Sequence, residues 1–168
     1  ADAGKGNAGG ETGGTGDVGK KAAGREVAAG RMVLPDAQWI ICRSANGAGM
    51  AAKGGHNGEP HNHNDVGSFT IYRDAKPMFI DVGVESYTKK TFSPQRYETW
   101  TMQSRYHNLP TFGEEAQRDG EEFAASGVEY ELGEEMSRIS MDLAGAYPEK
   151  CVESYVRHVC LEKGKRVC

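Results

Sequence analysis

The sequence predicts an all-β protein, an antiparallel β-sandwich preceded by a disordered, glycine-rich tail. Three observations predict it. From Met32 onward, apolar segments of about five to ten residues alternate with Gly, Pro, Asn and Asp. No helical period persists beyond about two turns. Ten of the 23 glycines fall between Ala1 and Gly30. That stretch has no aromatic residue and no Leu, Ile or Met. It cannot bury enough surface to offset its ordering entropy. The division expected is a tail over residues 1–31 and a sandwich domain over residues 32–168.

The elements follow in chain order. Gly4-Lys5-Gly6 and Gly13-Gly14-Thr15-Gly16 faintly suggest a phosphate cradle, but no hydrophobic strand precedes them, as a dinucleotide loop requires. Gln38–Arg43 reads as a strand. Ser68–Tyr72 alternates, with Phe69 and Ile71 on one face. Asp74-Ala75 turns the chain into a second strand, Pro77–Val82. Glu121–Leu132, Met136–Leu143 and Val152–Glu162 read as further strands with polar faces. Glu114–Gln117 has at most one turn of helix. The chain begins at Ala with no charged-then-apolar leader pattern, so a fragment of a longer protein is expected.

Composition narrows the function classes. Twenty basic residues against 24 acidic ones, a net charge of −4, do not provide a broad nucleic-acid surface. No segment approaches the roughly 18 apolar residues of a membrane span. Cys42, Cys151, Cys160 and Cys168 lack CxxC spacing. Free thiols in a reducing compartment are the favoured expectation, with three pairings open if the chain is secreted.

Chemistry concentrates between Gly54 and Asp65, in GGHNGEPHNHND. On an extended strand, residues two apart share a face, which would project His61, His63 and Asp65 together. Imidazoles gathered with a carboxylate are a ligand set for zinc or a similar divalent ion. Asn62 and Asn64 would face the other way. Asp81 sits in an otherwise apolar segment and needs a partner, because an unpaired buried charge is costly. His107 follows at another strand entry.

Three ordered elements carry a resemblance: GHNGEPHNHNDVGSFTIY, then FIDVGVESYTKKTFSPQRYETW, then SRYHNLPTF. Together they resemble the heparinase II/III-like family of bacterial polysaccharide lyases, over roughly Trp39 to Tyr155. The resemblance implies an N-terminal α/α toroid followed by a C-terminal antiparallel β-sandwich, of which this chain is part, within a larger supersandwich. It implies that His63, Asp81 and His107 hold a structural zinc. It places His61 as the catalytic histidine that the sandwich contributes, and leaves Asp65 as an orienter. The family's catalytic Tyr and its carboxylate-neutralising Asn or His belong to the toroid. Tyr72, Tyr87, Tyr97 and Tyr106 do not map onto that Tyr.

The implied reaction is β-elimination on a uronate-containing acidic polysaccharide. Neutralising the sugar carboxylate acidifies the C5 proton, a base removes it, and an acid protonates the leaving O4. His61 suits either proton role. Asn62, Asn64, Glu59 and His56 are expected along the substrate path. The isolated fragment would carry half an active site, its partner being the toroid. The family implies a periplasmic or secreted location, while the sequence alone leaves the cytoplasm open. The alternative is a non-catalytic module that stacks sugars on Trp39 and Trp100 and meets carboxylates with Lys89, Lys90, Arg96 and Arg105. A cupin-like metal enzyme ranks lower, since no Glu follows the His-x-His pair at the required place.

Overall fold

A computed structural model describes residues 29–148 and 151–168, so residues 1–28, and the tail assigned to them, lie outside the described residues. The fold is all-β and antiparallel, as the sequence predicts. A five-stranded sheet has the order β1(Gly30–Leu34), β2(Trp39–Arg43), β3(Ala48–Lys53), β5(Phe69–Arg73), β6(Lys76–Phe79). A four-stranded sheet has the order β11(Arg166–Val167), β10(Val156–Glu162), β9(Met136–Asp142), β8(Ser126–Leu132). A two-stranded ribbon pairs β4(His56–Asn57) with β7(Gly120–Ala124). Among the described residues the only helices are short 3-10 turns, four of them in the connection between Lys90 and Tyr106.

The core lies where the two larger sheets face each other. Ile40, Cys42, Met50 and Ala52 come from one sheet, and Ile139, Met141, Val159 and Leu161 from the other. In β9 every second residue (Ser137, Ile139, Met141) turns inward, the period of two that a half-buried strand requires. Leu143, Ala146 and Tyr147 close one side.

Several expected boundaries shift. β1 starts at Gly30, inside the stretch assigned to the tail. β3 escapes the periodicity test because Ala-Gly-Met-Ala-Ala-Lys offers almost no β-branched signal, yet nearly all of it is buried. The span Glu121–Leu132 is two strands in different sheets, β7 and β8, parted at Ala125. The strand expected over Pro77–Val82 ends at Phe79, and in place of a helical turn at residues 114–117 the chain makes a tight turn at Gly113-Glu114, closed by the Phe112–Glu115 bridge. The hairpin at Asp74-Ala75 is present, with φ of 52° and 60°, the left-handed pair of a type I′ turn without glycine.

The cysteines also depart from expectation. Cys160 and Cys168 form a disulfide that closes β10 onto β11, while Cys42 and Cys151 are free thiols.

Candidate functional site

The histidine stretch is a loop, not a strand. β4 ends at Asn57, and residues 58–68 run as turns until β5 begins. His61, His63 and Asp65 therefore do not share a strand face. Each is placed separately by the elements beneath the loop.

Buried amides and an ion pair anchor that loop. Asn57 donates through Nδ2 to Gln117 Oε1 at 3.1 Å and to Arg118 O at 2.9 Å. Gln117 accepts from Val66 N and donates to Val66 O, at 3.1 and 2.8 Å. Lys53, buried at the end of β3, donates to Asp65 at 2.8 Å and lies 3.7 Å from Glu59. Asp65 and Glu59 thus neutralise a buried ammonium, and Asp65 ties the loop to the end of β3.

His61 is exposed, with φ +59°, a left-handed conformation a side chain rarely adopts. Its ring meets Phe92 edge-on at 5.8 Å, and Phe92 meets Tyr87 at 5.5 Å. The next residue holds this turn. Asn62 Nδ2 donates to Asn57 O and His63 O, and Asn62 Oδ1 accepts from Tyr97 Oη at 2.8 Å. Arg96 donates to Asn62 O at 2.5 Å. Asn62 is only 8% exposed and Asn64 4%. Both amides expected along the substrate path are thus buried inside the loop, where Asn62 has its side chain spent on shaping it and Asn64 Oδ1 has no partner. Glu59 and His56 are half-buried, and His56 Nδ1 accepts from Gly58 N at 3.2 Å.

The residues expected to hold zinc do come together. The His107 side chain is fully buried, and its Nδ1 donates to both Asp81 oxygens, at 2.9 and 2.8 Å. Ser68 Oγ donates to the same carboxylate at 2.9 Å. Burial opposes ionisation of Asp81, but the His107 and Ser68 hydrogen bonds outweigh it and hold the carboxyl below its ordinary value. The His63 and His107 rings lie 5.2 Å apart. Burial, then the neighbouring His107, lowers the His63 pKa, which favours the neutral imidazole that binds metals. His107 Nε2 is buried with no hydrogen-bond partner. Such an orphan costs free energy unless a ligand meets it. Two imidazoles, one of them with an orphaned ring nitrogen, and one carboxylate fit a zinc-type donor set. They are neighbours rather than a closed cage. Among the described residues the group whose ligand atoms all lie within 4.8 Å is Cys160, Glu162 and Cys168, and its two cysteines are spent on the disulfide.

Sequence reasoning missed Lys53, Asn57 and Gln117, and gave Arg96 and Tyr97 no part in holding the loop. Arg96 and Tyr97 lie more than thirty residues from Asn62 in sequence, and Gln117 about sixty from Asn57, so no local motif marks them. The surface proposed for a sugar-stacking module is largely occupied. Lys90 pairs with Glu98 at 2.9 Å, Arg105 with Glu114 at 3.9 Å, and Arg96 is committed to the loop. The Trp39 ring lies under the Lys53 ammonium at 5.9 Å, whereas Trp100 is exposed against Tyr106.

The chain is thus an antiparallel β-sandwich in which His63 of the histidine loop neighbours the His107–Asp81 pair. The family model for the heparinase II/III-like C-terminal domain matches residues 28–165, and the chain belongs to that family. No curated protein matches the sequence.

Proposed function

We propose that this chain is the β-sandwich portion of a polysaccharide lyase that cleaves uronate-containing acidic polysaccharide by β-elimination. The observation that carries the proposal is the pairing of an exposed, strained His61 with the buried His107–Asp81 pair beside His63, in a chain of this family. His61 supplies the proton chemistry. It is solvent-reachable and free of an ion-pair partner among the described residues, and Arg96 and Tyr97 hold the adjoining Asn62 in place. A turn held in this way presents the imidazole from a defined backbone position to remove the C5 proton or protonate the leaving O4.

His63, Asp81 and His107 would hold a structural zinc, with Ser68 orienting the carboxylate. The ion would supply cross-linking between the loop, the segment after β6 and the 3-10 connection. The sugar's carboxylate would be neutralised, and a catalytic Tyr supplied, by an α/α toroid joined to this sandwich in a longer protein. Heparan-type, alginate-like and other uronides all fit this chemistry.

The test has two arms. Metal analysis of purified chain should give about one zinc, lost in His63→Ala and Asp81→Ala with a fall in thermal midpoint. In the longer protein, His61→Ala should abolish unsaturated uronide, read as ultraviolet absorbance, with zinc retained. Full activity in His61→Ala sinks the catalytic assignment, and a metal-free chain of equal stability sinks the zinc.

A further inference from the structure

Beside His107 an open cavity of about 610 Å3 has walls that include Phe69, Phe79, Asn108, Phe112, Tyr155 and Arg157. Its one cation is held unusually well. The Arg157 guanidinium lies 5.2 Å from the Phe69 ring and 5.5 Å from the Tyr155 ring. Its Nη1 donates to Gly67 O at 2.7 Å and to Asn108 O at 2.8 Å. Asn108 is itself fixed, donating to Phe69 O and Ile80 O at 2.8 and 2.9 Å. Two rings and two carbonyls lock the guanidinium in place, but none of the ion pairs among the described residues includes Arg157. Burial pulls its pKa down, against the opposing pull of Tyr155 and Tyr147. A guanidinium has five N–H donors in a planar fork, and Nη1 alone serves the two carbonyls. Across the cavity Phe79, 55% exposed, lies 6.2 Å from Phe69 and offers an aromatic ring to solvent.

We propose that this cavity is a saccharide subsite that seats one uronate residue, its carboxylate on the Arg157 fork and its apolar face on Phe79. The identity of the ligand rests on the lyase reading above. The site itself rests on a pre-organised, unpaired guanidinium beside exposed aromatic surface. A carboxylate matches the fork in charge and plane. Sugar rings present C–H faces that pack on aromatic rings. Arg157 also holds Gly67, the last turn of the histidine loop, so a sugar seated here adjoins the His61 loop within one polymer chain.

The test uses the whole chain, titrated calorimetrically and by NMR with uronate-containing tetrasaccharides and with the same tetrasaccharides after carboxyl reduction. The acidic set should bind and perturb Asn108 and Arg157 signals. Carboxyl reduction and Arg157→Lys should each weaken binding about tenfold. Phe79→Ala, on an exposed edge, should keep the fold by circular dichroism and weaken binding about fivefold. Equal affinity across these variants, equal binding of reduced sugars, or no binding at millimolar concentration overturns the subsite. If the longer protein makes no unsaturated product while this binding persists, the lyase reading falls and the subsite stands.

Discussion

Tyr147 shows what one buried phenol contributes to this fold. It is 2% exposed, meets Phe112 edge-on at 4.9 Å, and donates to Pro110 O at 2.9 Å. Burial pushes its pKa up to about 12 from 10.0. Between those values the unfolded chain releases a proton that the native state keeps. The stabilisation is therefore whole below pH 10 and is lost as pH rises toward 12, roughly 3 kcal/mol in all. Tyr147→Phe should cost about 1 kcal/mol at neutral pH, through the lost hydrogen bond, and flatten the decline between pH 10 and 12. Urea midpoints measured across that range check this, and an unchanged slope refutes it. Tyr97, Tyr130 and Tyr155 are shifted upward by burial as well, so the variant keeps a residual slope. At this same scale the histidines and Asp81 were legible in the sequence because their types are chemically distinctive and rare in apolar context. The loop-shaping bonds of Asn62 were not legible, since an amide that shapes a loop and an amide that meets a substrate look alike in one dimension.

At the scale of elements, the loop between β4 and β5 is set by what closes it. Gly67 has φ +88°, and a methyl group there would run into the Leu143 side chain. Its N–H donates to Lys53 O at 3.0 Å, and its carbonyl receives Arg157. Gly67→Ala combines a left-handed backbone penalty with overpacking, and should lower stability by about 2 kcal/mol, read from the denaturant midpoint. It should also move the His63 and Asp81 NMR signals, while Gly164→Ala, at φ +73° in the turn between β10 and β11, should carry only the backbone penalty and leave those signals in place. Strands with β-branched or alternating residues, β2, β5 and β9, were readable from sequence. β3 was not, because small side chains carry little periodic signal while being buried on both faces. The single strand expected across Ala125 failed for a different reason. A chain that leaves one sheet for another keeps its alternating pattern, and the local sequence does not record the change of partner.

For the whole molecule, the all-β architecture was legible because turn residues punctuate the chain at short intervals, while the strand order was not, since pairing depends on distant partners. One constraint on the assembled fold can be removed without touching its core. Cys160 and Cys168 are separated by eight residues, and the loop-entropy model assigns such a closure about 2.5 kcal/mol. Reduction should lower the denaturant midpoint accordingly and release β11 while the core strands β2, β3, β9 and β10 stay protected from hydrogen exchange. Unchanged exchange in β11 after reduction would refute that role.

The ribbon of β4 and β7 joins His56 to Ala124 and Asn57 to Gly120, and Arg157 reaches Gly67 across ninety residues. Chain segments that far apart meet only after long loops have closed, which costs entropy before any contact repays it. The histidine loop is thus a late arrival in time. It takes shape after the local hairpins β1–β2, β2–β3 and β5–β6, on the milliseconds-to-seconds scale of non-local β topologies. A nascent chain would have to wait for its second half before it could own a site at all.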